Sequence, residues 1–464
     1  MKKLLTILSL FVCLSLSGAT YYVSTTGSDL AAGSFAAPWA TWQKGFSTIV
    51  AGDTLYIRGG TYQPAGTSIG VVFSTEWFGC VALDGHNGTA LNRIVVMNYE
   101  DEIPILDGVN NTAANNGGPG SRFGIVLRRC DYWTLKGLNV TGVVQLEGEL
   151  GVAGIRFQEN ADHNEIIECN VYSCGGSGIS FLYNCTDNLI YNCDSYDNYD
   201  HLSVPTPGNN SDGIEIADIT DTSAVNTIRG CRLWDNSDDG IDLMRNEGKV
   251  IIDSCWAFYN GVTADYPATG FKLGQTSDTV TAVSSKRKLT NCISAYNNSA
   301  GIFANVSYQI MEVYNCLVIG NGSHGVHWYI GTEGAPSIIK NNISIYNTNY
   351  NYSYIYNSYD FEYNTYSQYD ETRPVCDSTD FVTLDTLGMR FSRKANGCLP
   401  DINFGKLAST SDMIDAGTDV GIDYVGAAPD LGPFEYRAPS VIRAATTRTG
   451  RLAVSRNGHL MVIY

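Results

Sequence analysis

The chain has 464 residues, with 47 acidic against 29 basic side chains and a formal net charge of −18. Loss of Lys2 and Lys3 with an N-terminal leader takes this to −20, an excess that repels polyanions and excludes nucleic acid as a partner. A polyanionic ligand has to be held through a bound cation or a local basic strip.

Residues 1–19 read as a secretory signal: Lys2 and Lys3, an apolar run from Leu4 to Leu16, and Ser17-Gly18-Ala19 as a small-residue cleavage site. Phe11-Val12 ahead of Cys13 suit lipid attachment poorly, and no other stretch is long and apolar enough to span a bilayer. An exported monomer, periplasmic or extracellular, is expected. Residues 20–65 read as an N-terminal cap, with a strand at Tyr21–Ser24, a short helix between Pro38 and Val50, and Gly52–Ile57 turning into the first coil. Such a cap covers strand edges that would otherwise invite aggregation.

From 66 to 350 the chain repeats. Eight times it writes a glycine, an apolar residue, a variable residue and another apolar residue, beginning at Gly124, Gly154, Gly178, Gly213, Gly240, Gly270, Gly301 and Gly325. Period-two alternation marks a strand with one buried face, so the variable residue points outward. From Gly178 onward each phrase is preceded by a cysteine (Cys169, Cys193, Cys231, Cys255, Cys292, Cys316). Five of these are followed five residues later by an asparagine (Asn198, Asn236, Asn260, Asn297, Asn321), whereas Cys174 takes that place in the first. The plain coil counts 9 residues from cysteine to glycine and 15 to the next cysteine, a 24-residue period that signals a solenoid. Short β-type runs broken by Asn, Asp and Gly predict an all-β chain, a single-stranded right-handed parallel β-helix, rather than a helical array.

The repeated cysteines should stack as buried free thiols, because neighbouring parallel strands suit disulfide geometry poorly. Cys376 and Cys398 lie outside that ladder and stay open. Stacked asparagines can satisfy one another and the backbone at a turn. Residues 351–436 lose the period and read as an irregular C-terminal capping segment folded back on the last coils. Residues 437–464 form a basic tail that fits either a sorting signal or one terminal hairpin.

In stacked strands the variable residues form one column, which makes Glu215, Asp242 and Lys272 neighbours roughly 4.8 Å apart. Insertions of 11 residues before Gly213, 3 after it, 6 before Gly270 and 7 after it bracket the same coils. Insertions in a solenoid build binding faces. Asp212, Asp238, Asp239 and Asp242 converge there. Packed carboxylates raise one another's pKa, so a hard cation bound by oxygen, Ca²⁺ rather than Zn²⁺, is the natural compensation. Turn-forming Asp and Asn explain one or two of these acids but not four with a lysine above them. Arg156, two coils before Glu215, can pair with a ligand carboxylate or sit in a salt bridge. Glu215, Arg245, Lys286, Arg287 and His327 are further candidate substrate contacts, and Phe303 can line a subsite.

The runs Ser211-Asp212-Gly213, Asn236–Leu243, Cys255–Gly261 and Gly270–Gly274 resemble the core of the family nine polysaccharide lyases. Tyr21–Ser24, Gly52–Thr54, Ile414–Gly417 and Asp430–Gly432 fit the same family, so the resemblance spans most of the chain. It implies a parallel β-helix that cleaves an acidic pectic polysaccharide, polygalacturonate or rhamnogalacturonan-I, by Ca²⁺-assisted β-elimination. It matches Asp212, Asp238, Asp239 and Asp242 to the calcium ligands and Lys272 to the base. Ile241 stands where a tryptophan is expected and Gln275 where a second glycine is common, departures expected to alter substrate fit. Two other readings are a β-helical glycoside hydrolase using paired aspartates and a non-catalytic Ca²⁺-dependent glycan-binding adhesin. The first has no need of Lys272, and Gly-His-Gly and Arg-Ile-Lys motifs are lacking; the second predicts that Lys272 is dispensable.

Overall fold

The structure, a computed structural model, describes residues 18–438 except 73–74, 114–119, 148–150, 263–266, 275–285, 308, 329–336, 356–359, 366 and 368–370, together with 453–454 and 460–461. The predicted leader, residues 1–17, lies outside the described residues. Among them, three long sheets of 12, 10 and 11 strands run the length of the molecule. Apart from one antiparallel hairpin, Thr67–Val72 with Thr75–Asp84, their pairings are parallel between successive turns of the chain, as a right-handed β-helix requires. Strands in coil register run from Thr54–Ile57 to Asp360–Glu362, so the coils take in residues at both ends that the repeat alone assigns to the caps.

The eight glycine phrases all fall in the 11-stranded sheet, in the expected register. Val126, Arg156, Ser180, Glu215, Asp242, Lys272, Phe303 and His327 are successive partners. The alternate residues point inward: Ile179, Ile214, Ile241, Phe271, Ile302 and Val326 form a column with no exposure. Ile241 is therefore a core residue, and its departure from tryptophan alters packing rather than substrate fit; Gln275 lies outside the described residues. The recurring glycine has a steric cause. A Cβ on Gly240 would lie 2.5 Å from the carbonyl oxygen of Gly270 and 2.8 Å from Ala257 Cβ, leaving no room for a side chain where the coil turns over the asparagine column.

That column is continuous. Asn198, Asn236, Asn260, Asn297 and Asn321 each donate Nδ2 to the Oδ1 of the next asparagine at 2.9–3.0 Å, ending on Asn347, and each Oδ1 from Asn236 onward also accepts the backbone N–H of the asparagine below. Buried amides thus satisfy one another and the corner backbone. A second ladder, Asn164, Asn188 and Asn226, serves another corner and has no cysteine to announce it. The cysteines at 80, 130, 169, 174, 185, 193, 231, 255, 292, 316, 376 and 398 are free, and all but Cys398 are buried.

At the N-terminal end the helix is Trp42–Thr48, capped by the Thr41 side chain, and Trp42 and Phe46 plug the first coil. The strand Thr20–Val23 pairs with Thr54–Ile57, extending the 12-stranded sheet by one rung. The described part of the C-terminal segment lies along the flank of the 10-stranded sheet. Phe381, Met389, Ile402, Phe404, Leu407 and Leu431 pack on Trp234, Trp256, Phe258, Ile293, Leu317 and Ile343. Arg393 reaches as far back as Asp194, at 2.6 Å, and Arg232 donates to the carbonyls of Met389 and Phe391. In the tail, Ala453–Val454 pairs antiparallel with Leu460–Met461. No helix among the described residues is long and apolar enough to cross a membrane.

Candidate active site

The site grows from one coil corner repeated three times. Ser211-Asp212-Gly213, Asp238-Asp239-Gly240 and Thr269-Gly270 stack directly, with Gly213 N–H donating to the Asp239 carbonyl and Gly240 N–H to that of Thr269, both at 2.9 Å. This places one oxygen each of Asp212, Asp238 and Asp239 within 4.8 Å of one another. Asp242 enters from the following strand, beside Glu215 on one side and Lys272 on the other. Lys272 Nζ lies 2.9 Å from Asp239 Oδ2 and donates to Asp242 Oδ2 at 2.9 Å. Three of the four predicted acids therefore cluster at ligand distance, and Lys272 joins Asp242 to them by pairing with both Asp239 and Asp242.

Backbone amides fix the carboxylates. Asp239 N–H donates to Asp212 Oδ1 at 3.1 Å, Thr269 N–H to Asp239 Oδ1 at 2.5 Å, and Met244 N–H to Asp242 Oδ1 at 2.8 Å. Burial raises Asp212 and Asp238 well above the usual carboxylate range, and the neighbouring acids add to it. Asp242 is pushed up to about 6, by burial first, with Lys272 opposing and Asp239 reinforcing. For Lys272, burial favours the neutral amine, but Asp239, Asp242, Asp238 and Asp212 outweigh it and hold the ammonium well above its ordinary value.

These residues fit a hard cation. The donors are all oxygens, the acids are nearly buried, and Asp239 Oδ2 and the adjacent Ser211 Oγ are buried without an aligned hydrogen-bond partner. Among the described residues, Asp239 Oδ2 has only the ion pair to Lys272. A fifth acid, Asp200, stands two residues after Asn198 as Asp238 stands two after Asn236, so it holds the slot of Asp238 one coil earlier, a place the glycine phrase does not mark. It is buried, accepts from Ser237 Oγ at 3.0 Å, and adds to the raised pKa of Asp238.

Of the weaker candidates, Arg156 is buried in the column, 3.6 Å from Glu215 Oε2 across Ser180, with its guanidinium over the Phe123 ring. Arg245 lies at the exposed rim, gripped by Asp218 at 2.5 and 3.1 Å. Arg287, expected to contact substrate, does not. It points into the coil with 1% exposure and donates to the backbone carbonyls of Leu273, Gly248 and Asn246, so it cannot meet a polysaccharide. Alternation decides this: Arg287 pairs with buried Val250 and Met311, while Lys288 takes the outward position. Their strand belongs to the 12-stranded sheet, a different face from that of Lys272. The Lys286 side chain lies outside the described residues. Phe303 and His327 follow Lys272 in the column and line, with Lys272, Asp238 and Asp239, a cleft of about 440 Å³. Asn209 and Pro267, from two of the insertions, line it too, as does His324, which lies one residue ahead of its glycine phrase and so carries no signal in the repeat.

The family model for the Pel9A-like, right-handed beta helix region matches residues 21–365. The chain is 31% identical over 315 residues to pectate lyase L of Dickeya chrysanthemi, covering 66% of this chain and 67% of that one. It is 28% identical over 317 residues to pectate lyase PEL9 of Emericella nidulans, covering 62% and 70%. Among solved structures, pectate lyase Pel9A superposes with a TM-score of 0.71 at 26% identity, covering 91% of this chain and 97% of that one. A rhamnogalacturonan lyase superposes with a TM-score of 0.72 at 26% identity, covering 84% and 97%.

Proposed function

Because the chain belongs to the Pel9A-like family of right-handed β-helix polysaccharide lyases, we propose that it cleaves a galacturonate-containing pectic backbone by β-elimination, with Lys272 as base and Ca²⁺ held by Asp212, Asp238, Asp239 and Asp242. The observation that carries this reading is the ammonium of Lys272, 2.9 Å from two carboxylates of a buried acidic pocket and open to a cleft.

Abstraction of a uronate C5 proton is difficult because the carbanion develops beside an already negative carboxylate; a bound Ca²⁺ supplies the positive charge that stabilises it. Lys272 receives the C5 proton on Nζ and must first be neutral. Asp239 and Asp242 oppose that by pairing with the ammonium. When those carboxylates are otherwise engaged, burial remains and favours the free amine. Arg156 and Glu215 extend the column on one side and the cleft opens on the other, so a polysaccharide running along the coil axis passes over Lys272. Export from the cell, as the N-terminal residues suggest, suits a polymeric substrate.

Purified protein with Ca²⁺ is incubated with polygalacturonate and with rhamnogalacturonan-I, and unsaturated, ultraviolet-absorbing uronide is followed. Lys272→Ala should abolish the product while retaining sugar binding. Saturated reducing ends without absorbance would instead establish a hydrolase, and full activity in chelator would remove the cation from the scheme. Unchanged function in Lys272→Ala would favour a binding protein.

A further inference from the structure

Beyond Lys272 the outward column changes character, from carboxylates and cations to rings. Phe303 is the direct strand neighbour of Lys272, and His327 that of Phe303. Phe303 and His327 have ring centroids 4.8 Å apart, His324 lies 4.3 Å from His327, and Tyr354 stacks on His327 at 5.3 Å and 11°. Tyr350 stacks on His324 at 5.9 Å. Tyr350 and Tyr354 are about half exposed, and Phe303, His324 and His327 are half-buried, so the rings form a wall rather than a core. The wall is continuous with the cleft that holds Lys272.

The wall carries no positive charge for a carboxylate. Burial lowers His324 and brings His327 down to about 4, with His324 contributing, so both imidazoles are neutral where a lysine base works. The remaining described lining on this side, Pro267, Ser299, Ala300 and Ser323, is uncharged. Beyond Lys272, a second uronate here would meet no cationic side chain among the described lining residues. A neutral pyranose would instead cover the rings with its C–H face and gain from burial. One coil step, roughly 4.8 Å, is comparable with the advance of one sugar along a chain.

The geometry points to Phe303, His324, His327 and Tyr354 as a stacking subsite for an uncharged sugar next to the uronate at Lys272. The enzyme would then select a backbone that alternates acidic and neutral residues over one made of uronates alone. This rests on the lyase reading above and adds to it the choice of substrate.

The test separates the two. In the Lys272→Ala background with Ca²⁺, calorimetry compares alternating rhamnose–galacturonate oligosaccharides with oligogalacturonates of equal length. The alternating ligand should bind about tenfold more tightly, and Phe303→Ala or His327→Ala should each remove about tenfold of that affinity while moving oligogalacturonate less than twofold. His327→Arg should shift the preference toward oligogalacturonate. His327→Gln, which keeps a polar group but no ring, serves in place of alanine should that variant unfold. Equal losses for both ligands, or tighter binding of oligogalacturonate by the Lys272→Ala parent, would overturn the subsite. Wild-type turnover is measured alongside: no unsaturated product from either backbone would overturn the lyase reading, whereas the subsite stands or falls on the binding comparison alone.

Discussion

Replacing Lys272 by methionine keeps the length of the side chain and removes its charge, which exposes the second role of this residue as counter-ion to the acidic pocket. The ammonium is only 21% exposed, and its partners Asp239 and Asp242 are 2% and 8% exposed, so solvent screens the pairs little. At 2.9 Å and an effective dielectric of about 20, each attraction is on the order of 5 kcal/mol before desolvation. Removing one partner of a buried pair typically costs about 3–5 kcal/mol. The chelated Lys272→Met protein should therefore be about 3 kcal/mol less stable than wild type in urea at pH 8. Ca²⁺ should restore most of the difference. With the competing ammonium gone, Ca²⁺ should also bind about tenfold more tightly by calorimetry, even though turnover falls by a factor of about 10²–10⁴. Equal stability of the two chelated proteins, or unchanged Ca²⁺ affinity, would refute the idea that Lys272 neutralises the pocket.

Activity should rise toward alkaline pH, since the carboxylates hold the Lys272 proton above its ordinary range; a kcat profile peaking below pH 6 would contradict this. The acids give a separate signature in stability. Asp212, Asp238 and Asp242 have raised folded pKa values, so their protonated forms favour the chelated fold at low pH and that contribution is lost as pH rises through about 6 for Asp242. The rise in melting temperature on adding Ca²⁺ should accordingly be larger at pH 8 than at pH 5, and an equal rise at both would count against these ligands. Arg287→Ala strands three buried carbonyls and should destabilise the protein by about 3–5 kcal/mol in urea titrations, with the KM of the folded fraction unchanged. Under native conditions a thiol reagent should label Cys398 and leave the ladder cysteines until unfolding; rapid labelling of several thiols would mean that the ladder is open.

The Lys272 pocket is legible in the sequence because two patterns fix it independently. Period-two alternation sets which side chains face out, and the glycine phrase sets which of them share a column, so Asp242 and Lys272 pair without coordinates. Arg287 lacks that anchor: residues 275–285 intervene before its strand, no phrase marks the inward parity there, and three consecutive basic residues look like a surface cluster. The C-terminal segment shows the same limit. Some of its contacts with the 10-stranded sheet join residues more than a hundred positions apart, such as Arg393 with Asp194, and no period in residues 371–438 encodes them. Asp200 is legible only by counting forward from Asn198, which aligns it with Asp238; counting back from Gly213 across the 11-residue insertion loses it.

A strongly acidic chain that acts on an acidic polymer needs its positive charge where the chemistry occurs and little elsewhere on that face. The column satisfies this by position. Arg156 is already committed to Glu215, and Arg245 to Asp218, so neither offers an unpaired charge to substrate. Lys272 is held by Asp239 and Asp242, and the rings beyond it are neutral. A cation bound in the acidic pocket, as proposed above, would then be the chief positive charge a uronate meets near Lys272, which would tie substrate binding to the same carboxylates that hold the Lys272 proton. Substitution of Asp239 by asparagine should consequently weaken Ca²⁺ and uronate binding together, in the same proportion. Loss of Ca²⁺ affinity with uronate affinity intact would show that another cationic group, outside this pocket, holds the polymer.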